Sequence, residues 1–232
     1  MNKHIKIVLA GSIFFLLSVR IVFAQVNDAG LWTYMSIEKK VTARLSFDIT
    51  EELRMNENIT ELGTFFTEAG GSYKVTDYFK VGAYYRFINK RQVDDHYSTR
   101  HQYHIDLTFK KKFKPITLSF RTKFRGEYRD INSSDIGKLP YYYSENKLTV
   151  KYEINRKFEP YFFVEIFNPI SRPLKDSHPS GVFMDQAKYC LGVDYTINRR
   201  HGLDFYYLLE QEYNVKDPLT EYVVGLGYTY SF

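Results

Sequence analysis

The sequence predicts an all-β protein, an antiparallel up-and-down transmembrane β-barrel of 10–12 strands. Three observations predict it. Segments of strict apolar/polar alternation run well past the roughly five or six residues usual for strands of soluble proteins. The connections between these segments sort by length, tight turns alternating with long polar loops. The last segment, Glu221 to Phe232, places Tyr222, Val224, Leu226, Tyr228, Tyr230 and Phe232 on one face. Its other face carries Glu221, Val223, Gly225, Gly227, Thr229 and Ser231. Successive strand side chains point to opposite sides of a sheet, so one face is apolar and the other small or polar.

Taken from the start of the chain, residues 1–24 read as a secretory signal peptide and residues 25–232 as the barrel. Lys3, His4 and Lys6 form a basic start, Ile7 to Val19 an apolar run, and Val22-Phe23-Ala24 a cleavage region before Gln25. The apolar run is too short to span a bilayer as a helix. Removing Lys3, Lys6 and Arg20 takes 32 basic residues to 29 against 27 acidic ones, so the net charge falls from +5 to +2. The basic balance therefore argues little for nucleic acid. Aromatics make up 18%, with Tyr 21 and Phe 19, which suits strands and interfacial girdles. Mean hydropathy is −0.38, too polar for a bundle of membrane helices. A barrel tolerates it because only half of each strand faces lipid. The single Cys190 excludes an intramolecular disulfide.

Candidate strands begin near Trp32, Ala43, Ile59, Phe79, Ser98, Ile116, Tyr141, Pro160, Phe183, Gly202 and Thr220. Val41–Thr50, Phe79–Phe87, His101–Lys110 and Leu203–Glu210 keep strict alternation. In Ile116–Arg129, Ile116, Leu118, Phe120, Phe124 and Tyr128 oppose Arg121, Lys123, Arg125, Glu127 and Arg129. In Tyr143–Ile154, Leu148, Val150, Tyr152 and Ile154 oppose Glu145, Lys147, Lys151 and Glu153. In Phe183–Ile197, Tyr189, Leu191, Val193, Tyr195 and Ile197 oppose Gln186, Lys188, Asp194 and Thr196. These runs reach the roughly 9–11 residues a transmembrane strand needs. Bacterial single-chain barrels use even numbers of strands, so eleven candidates imply ten, without the Trp32 segment, or twelve, with one more. Val75–Tyr78, Lys112–Pro115, Asn155–Phe158 and Asn198–His201 are tight turns. Lys90–Tyr97, Asp130–Pro140, Asn168–Val182 and Glu212–Leu219 are long and polar, the arrangement of periplasmic turns and extracellular loops. The inverted arrangement, a soluble lipocalin-like barrel with charges outside, is the alternative that alternation alone leaves open.

Leu31-Trp32-Thr33, Glu51-Glu52-Leu53-Arg54, Tyr84-Tyr85-Arg86-Phe87, Asn146-Lys147-Leu148, Pro160-Tyr161 with Glu165-Ile166-Phe167, and Leu203-Asp204-Phe205-Tyr206-Tyr207 together carry a resemblance. The chain resembles an uncharacterised outer-membrane β-barrel family of Gram-negative bacteria, a domain of unknown function (DUF2490-like). The resemblance covers nearly all of the chain after residue 24. It implies a barrel in the bacterial outer membrane and supplies no catalytic residues.

If the apolar face meets lipid, the other face lines a lumen. It would hold a basic stripe of Arg121, Lys123, Arg125, Arg129, Lys147 and Lys151, and acidic Asp194, Asp204 and Glu210. Arg44, Lys80, Arg86, Lys110 and Lys188 share that parity, as do Asp48, Glu52, Glu68, Asp106, Glu127, Glu145, Glu153 and Glu165. Two functions follow. The charges pair across the lumen and close it as a structural or binding barrel, or they line a narrow porin-like channel whose basic stripe acts on anions. The implied partners are outer-membrane lipid, a small anionic solute, and the outer-membrane assembly machinery, which would read the C-terminal signal Tyr228, Tyr230 and Phe232.

A lipid-acting enzyme is a third class. It would need a Ser and a His together on the lipid-facing side near the rim. His101 has that parity, but Ser144 and Asn146 lie two strands away, about 10 Å at the usual strand spacing. His104, Asp106 and Ser119 form a lumen trio that reads as ordinary hydrogen bonding. No enzyme, cofactor, metal site or nucleic-acid partner is expected; His101 and His104 face opposite sides of one strand and cannot share a metal.

Overall fold

A computed structural model describes residues 26–92, 95–129, 140–171, 183–215 and 218–232. The segment read as a signal peptide and most of the Asn168–Val182 loop lie outside these residues. Eleven strands form a closed barrel: β1 (Val26–Lys40), β2 (Leu45–Asn56), β3 (Glu61–Lys74), β4 (Phe79–Arg91), β5 (Tyr97–Phe113), β6 (Ile116–Arg129), β7 (Tyr141–Tyr152), β8 (Phe158–Ser171), β9 (Gln186–Thr196), β10 (His201–Glu212) and β11 (Leu219–Ser231). Each is 11 to 17 residues long, so the length read from alternation is realised in the wall.

Sequential strands pair antiparallel, whereas β1 and β11 close the barrel in parallel, from Val26↔Leu219 to Glu38↔Ser231. Eleven falls within the expected 10–12 strands; what is corrected is the even count and the purely antiparallel wall. The Trp32 segment is a full wall strand. The sorted loops make it start at the same end as β11, so it must run beside β11 in the same direction. A parallel ladder still pairs the backbone N–H and C=O groups, which is the condition a membrane imposes.

The turns at one end share a device. Thr42 and Thr76 hydroxyls and Asn155 and Asn198 side-chain oxygens each accept from backbone N–H groups two and three residues on. Such side chains stabilise tight reversals by replacing a backbone acceptor. At the opposite, loop end the β2–β3 link is also tight, an exception to the sorting by length. Glu57, Asn58 and Ile59 adopt φ of 51°, 56° and 68° there. The Asp28 carboxylate accepts from the Glu57 and Asn58 N–H groups at 2.9 and 2.7 Å and so ties the start of β1 to that link.

The two faces of the wall differ as alternation requires. Outward residues such as Ile49, Phe109 and Leu191 are 54%, 53% and 64% exposed. Inward charges such as Lys123, Glu145 and Glu165 are 6%, 4% and 6% exposed. The inverted, lipocalin-like arrangement is thus not the one adopted. Glu51 interrupts the outer belt, its carboxylate accepting the Thr67 hydroxyl at 2.8 Å. Arg44 and Glu153, expected in the lumen wall, lie instead in turns beyond the strand ends.

Candidate functional site: the charged lumen

Eleven strands about 4.8 Å apart, tilted by about 40°, close a cylinder roughly 22 Å across between backbones. Counting around the ring, β6 and β7 lie opposite β11 and β1. The lumen therefore has two walls of different chemistry.

The basic wall is built on β6 and β7. Cross-strand register sets Lys123 opposite Glu145 and Arg121 opposite Lys147, which in turn faces Glu165 on β8. Arg125 Nε lies 3.0 Å from Glu145 and Arg121 Nη2 lies 2.5 Å from Glu165. A more distant contact joins Arg121 to Asp106 at 3.7 Å. Lys151 pairs with Asp194, Lys188 with Glu210 at 2.8 Å, Arg86 with Glu68 at 2.6 Å and Arg100 with Glu127 at 2.9 Å. The Arg129 guanidinium stacks 4.7 Å above the Tyr141 ring. Lys147 sets its ammonium 3.4 Å above the Phe163 ring.

These pairs share one geometric property. Among the described residues, each ion pair of the lumen lies within one strand, between neighbours, or between strands separated by one. None joins opposite walls. Most of the lumen charges are thus paired along the wall and not across it.

The facing wall, on β8 to β11 and β1, is aromatic. Trp32, Tyr161, Phe163, Cys190, Leu208 and Val223 form one buried cluster with Tyr206 packed against it. Three tyrosine rings lie against glycines. A Cβ on Gly225 would stand 1.9 Å from the Tyr206 ring, on Gly227 2.1 Å from the Tyr34 ring, and on Gly192 2.5 Å from the Tyr161 ring. Only a residue without a side chain lets a ring sit that close to the backbone. The Tyr34 and Tyr161 hydroxyls then both donate to Asp204, at 3.0 and 2.8 Å. The Trp32 indole N–H donates to Glu221 at 3.3 Å, and the Arg54 guanidinium stacks 3.8 Å from the indole.

The lumen holds three adjoining cavities. One of about 300 Å³ at the loop end is lined by Arg100, Arg129, Tyr141 and Gln186. A central one of about 460 Å³ lies between the basic wall and Tyr34, Tyr161 and Tyr206. One of about 530 Å³ at the turn end is lined by Asp48, Lys80, Lys110 and Ser119. Arg54, Arg86 and Arg125 border both the first and second. Arg121, Lys123 and Lys147 border both the second and third.

The residues of the basic stripe, Arg121, Lys123, Arg125, Arg129, Lys147 and Lys151, and the acidic Asp194, Asp204 and Glu210 border the first two cavities. Sequence reasoning missed Arg54, Arg100 and Glu221, and the tyrosine rings laid on glycines. The signal for the rings was present in Gly225 and Gly227 at lumen parity, but which tyrosine would cover them depends on register. The C-terminal residues sit on the seam. Phe232 exchanges backbone hydrogen bonds with β1, its N–H donating to Glu38 at 3.0 Å and its C=O accepting from Lys40 at 3.1 Å. Tyr230 stacks on Phe232 at 5.7 Å, and the Tyr228 hydroxyl lies 2.6 Å from His201 Nδ1.

The candidate catalytic sets do not assemble among the described residues. His101 bonds Tyr85 on the outer face at 2.6 Å. Ser144 and Asn146 join Thr122 and Asn168 in a separate polar cluster. His104 neighbours Gln102, Asp106 and Glu68 and stacks on Tyr84. Ser119, expected near it, faces Lys110, while Asp106 faces Lys123. That is four residues along β6, about 13 Å. No cluster of three or more His, Cys, Asp or Glu suited to a metal occurs among the described residues.

A family model described as "Protein of unknown function (DUF2490)" matches residues 29–220. No curated protein matches the chain. Among solved structures, the β domain of the Bordetella autotransporter BrkA is similar at a TM-score of 0.50 and 10% identity, over 83% of this chain and 86% of that one. The NanC porin gives a TM-score of 0.49 and 11% identity, over 78% and 85%. The likeness to the autotransporter β domain, at 10% identity, is one of fold alone.

Proposed function

The chain belongs to the DUF2490 family, whose function is unknown, and from its lumen we propose that it is an outer-membrane barrel that passes small solutes, anions in preference to cations. The observation that carries this is the placement of the lumen ion pairs along the wall, which leaves three adjoining cavities instead of a plug. A barrel of about 8 strands is filled by its own side chains and one of about 16–18 holds an aqueous channel. Eleven lies between, so side-chain placement decides. Here the tyrosines fold flat onto glycines and the cations lie along the wall. The preference for anions comes from β6, which presents Arg121, Lys123, Arg125 and Arg129 against the single anion Glu127.

In this reading residues 1–24 direct export, the turns face the periplasm and the loops the cell exterior. The Tyr228-Tyr230-Phe232 strand is what the assembly machinery engages. A second reading has a specific observation in its favour. Charged side chains border successive cavities at two levels, Arg54, Arg86 and Arg125 at one and Arg121, Lys123 and Lys147 at the other, and a barrel closed at either would be structural or would bind without passing.

Conductance of the folded barrel in planar bilayers under a KCl gradient separates them. Discrete steps with a reversal potential on the anion side are expected. The triple substitution Arg121→Glu, Lys123→Glu, Arg125→Glu should move that potential to the cation side. A wild-type barrel that stays silent, or a reversal potential the substitutions leave in place, would sink the channel reading.

A further inference from the structure

Two ammonium groups at the middle of the lumen lack what every other cation there has. Arg86 is engaged by Glu68, Arg125 by Glu145 and Arg121 by Glu165. Lys123 is 6% exposed, yet among the described residues its Nζ comes no nearer to a carboxylate than 3.7 Å from Glu145, beyond hydrogen-bond reach. Lys147 has no carboxylate within ion-pair distance among the described residues and rests on the Phe163 ring. An ammonium has three donors to place. Removing both ammonium groups from bulk water without an acceptor costs free energy that an anionic ligand would recover. Beside them, Arg121 Nε is buried with no hydrogen-bond partner. Asp106, 3.7 Å from Arg121 with one oxygen unpartnered, offsets part of this charge. On this side of the cavity the five cations Arg86, Arg121, Lys123, Arg125 and Lys147 face the four carboxylates Glu68, Glu145, Glu165 and Asp106, a surplus of one positive charge.

The opposite side of the same cavity is of a different kind. The Tyr34, Tyr161 and Tyr206 rings are fixed by Gly227, Gly192 and Gly225 behind them. Asp204 receives one tyrosine hydroxyl on each oxygen. Each oxygen keeps acceptor capacity toward the cavity. A pre-set aromatic surface with a carboxylate acceptor suits a flat ring bearing hydroxyl groups. The cavity of about 460 Å³ is within the range of small-molecule sites.

We propose that the central cavity is a binding site for a small organic carboxylate with a hydroxylated ring, its carboxylate on Lys123 and Lys147 and its ring on the tyrosine wall. One negative charge matches the surplus, which favours a carboxylate over a phosphate dianion. The proposal extends the solute-passage reading by naming a solute class, and a binding measurement tests it whether or not the barrel conducts.

The chain's only tryptophan, Trp32, lines this cavity and reports on it. Glucuronate titrated into the detergent-folded barrel should change Trp32 fluorescence saturably. Glucose at the same concentrations should not, and inorganic phosphate should bind at least tenfold more weakly. Lys123→Met and Lys147→Met should each weaken glucuronate binding at least tenfold while keeping heat-modifiable mobility on a gel, and Lys123→Arg should restore most of it. If both methionine variants fail to fold, a tenfold rise in KCl should still weaken wild-type binding severalfold. No saturable change with glucuronate, equal binding of glucose, binding as tight for phosphate, or binding insensitive both to these substitutions and to salt would overturn the proposal. A barrel that binds glucuronate but never conducts overturns passage and keeps the site. One that conducts and does not bind does the reverse.

Discussion

The two walls of the lumen solve one problem by opposite means. Each must bring large polar side chains inside a narrow cylinder without filling it. The basic wall of β6 and β7 does so with charge: Arg121 and Arg125 are drawn sideways onto Glu165 and Glu145 and so lie along the sheet. The aromatic wall of β10, β11 and β1 does so with shape. Gly225 and Gly227 remove two side chains, and the rings of Tyr206 and Tyr34 occupy the space they vacate. The first device depends on ionisation and partner identity. The second depends on the absence of a Cβ. Clearance of the lumen therefore has two independent causes, and each can be removed separately.

The largest effect is expected on the aromatic wall. Gly225→Ala places a Cβ 1.9 Å from the Tyr206 ring, well inside contact distance, and the ring must move. Overpacking of this kind typically costs about 1–3 kcal/mol. Gly202→Ala is the matched control, since nothing lies within 4 Å of a Cβ there. The temperature at which the folded band converts on a heat-shift gel should fall clearly for Gly225→Ala and stay within error for Gly202→Ala. Equal midpoints for the two variants would show that the ring is not held by the glycine.

A smaller effect is expected where the aromatic wall uses polar chemistry after all. Asp204→Asn keeps the shape but removes the ionised acceptor of the Tyr34 and Tyr161 hydroxyls. An amide offers one oxygen in place of two, so one hydroxyl loses its acceptor. Hydrogen bonds to charged groups contribute about 1.5–3 kcal/mol, and a retained neutral bond returns part of that. A loss of about 1–2 kcal/mol in a urea titration of the folded barrel is the expected outcome. An unchanged midpoint would mean that shape alone fixes the rings.

Much of this architecture was legible in the sequence, and the reasons differ by feature. The period of two fixed which face of each strand carried charge, so Arg121, Lys123 and Arg125 could be placed in the lumen without coordinates. Loop sorting fixed the direction of the Trp32 strand, and only the rule of even strand number obscured the parallel seam with β11. The tyrosine–glycine contacts were not legible. Tyr206 meets Gly225 because β10 and β11 pair in one register, and a shift of two residues would preserve every parity while changing every contact. Ser119 failed the same way: parity set it on the face of His104, while register set it beside Lys110. The Lys151–Asp194 and Arg121–Glu165 pairs skip a strand and depend on side-chain reach, which no local pattern encodes.

The smallest expected effect calibrates the basic wall against an exposed counterpart. At the turn end Lys112 pairs with Glu153, a pair of the same chemistry that skips β6 and is more open to water. The hydrogen bond from Lys112 holds the Glu153 carboxyl below the usual carboxylate range. A carboxylate whose pKa is lower in the folded state stabilises fully above the unfolded value, about 4.3 for glutamate, and loses that contribution as pH falls through the folded one. The wild-type chain should therefore lose its small advantage over Lys112→Met as pH falls from about 6 to below about 4. Exposed pairs are screened, so 0.5 M KCl should largely abolish the difference. Hydrogen exchange of the Glu153 amide, which donates to Pro115 at 2.8 Å, is the sensitive readout. If salt left this pair intact, wall-hugging of the lumen cations would need no low-dielectric interior. If salt removes the Lys112–Glu153 contribution but leaves anion selectivity at Arg121, Lys123 and Arg125, burial is what distinguishes the two settings of the same chemistry.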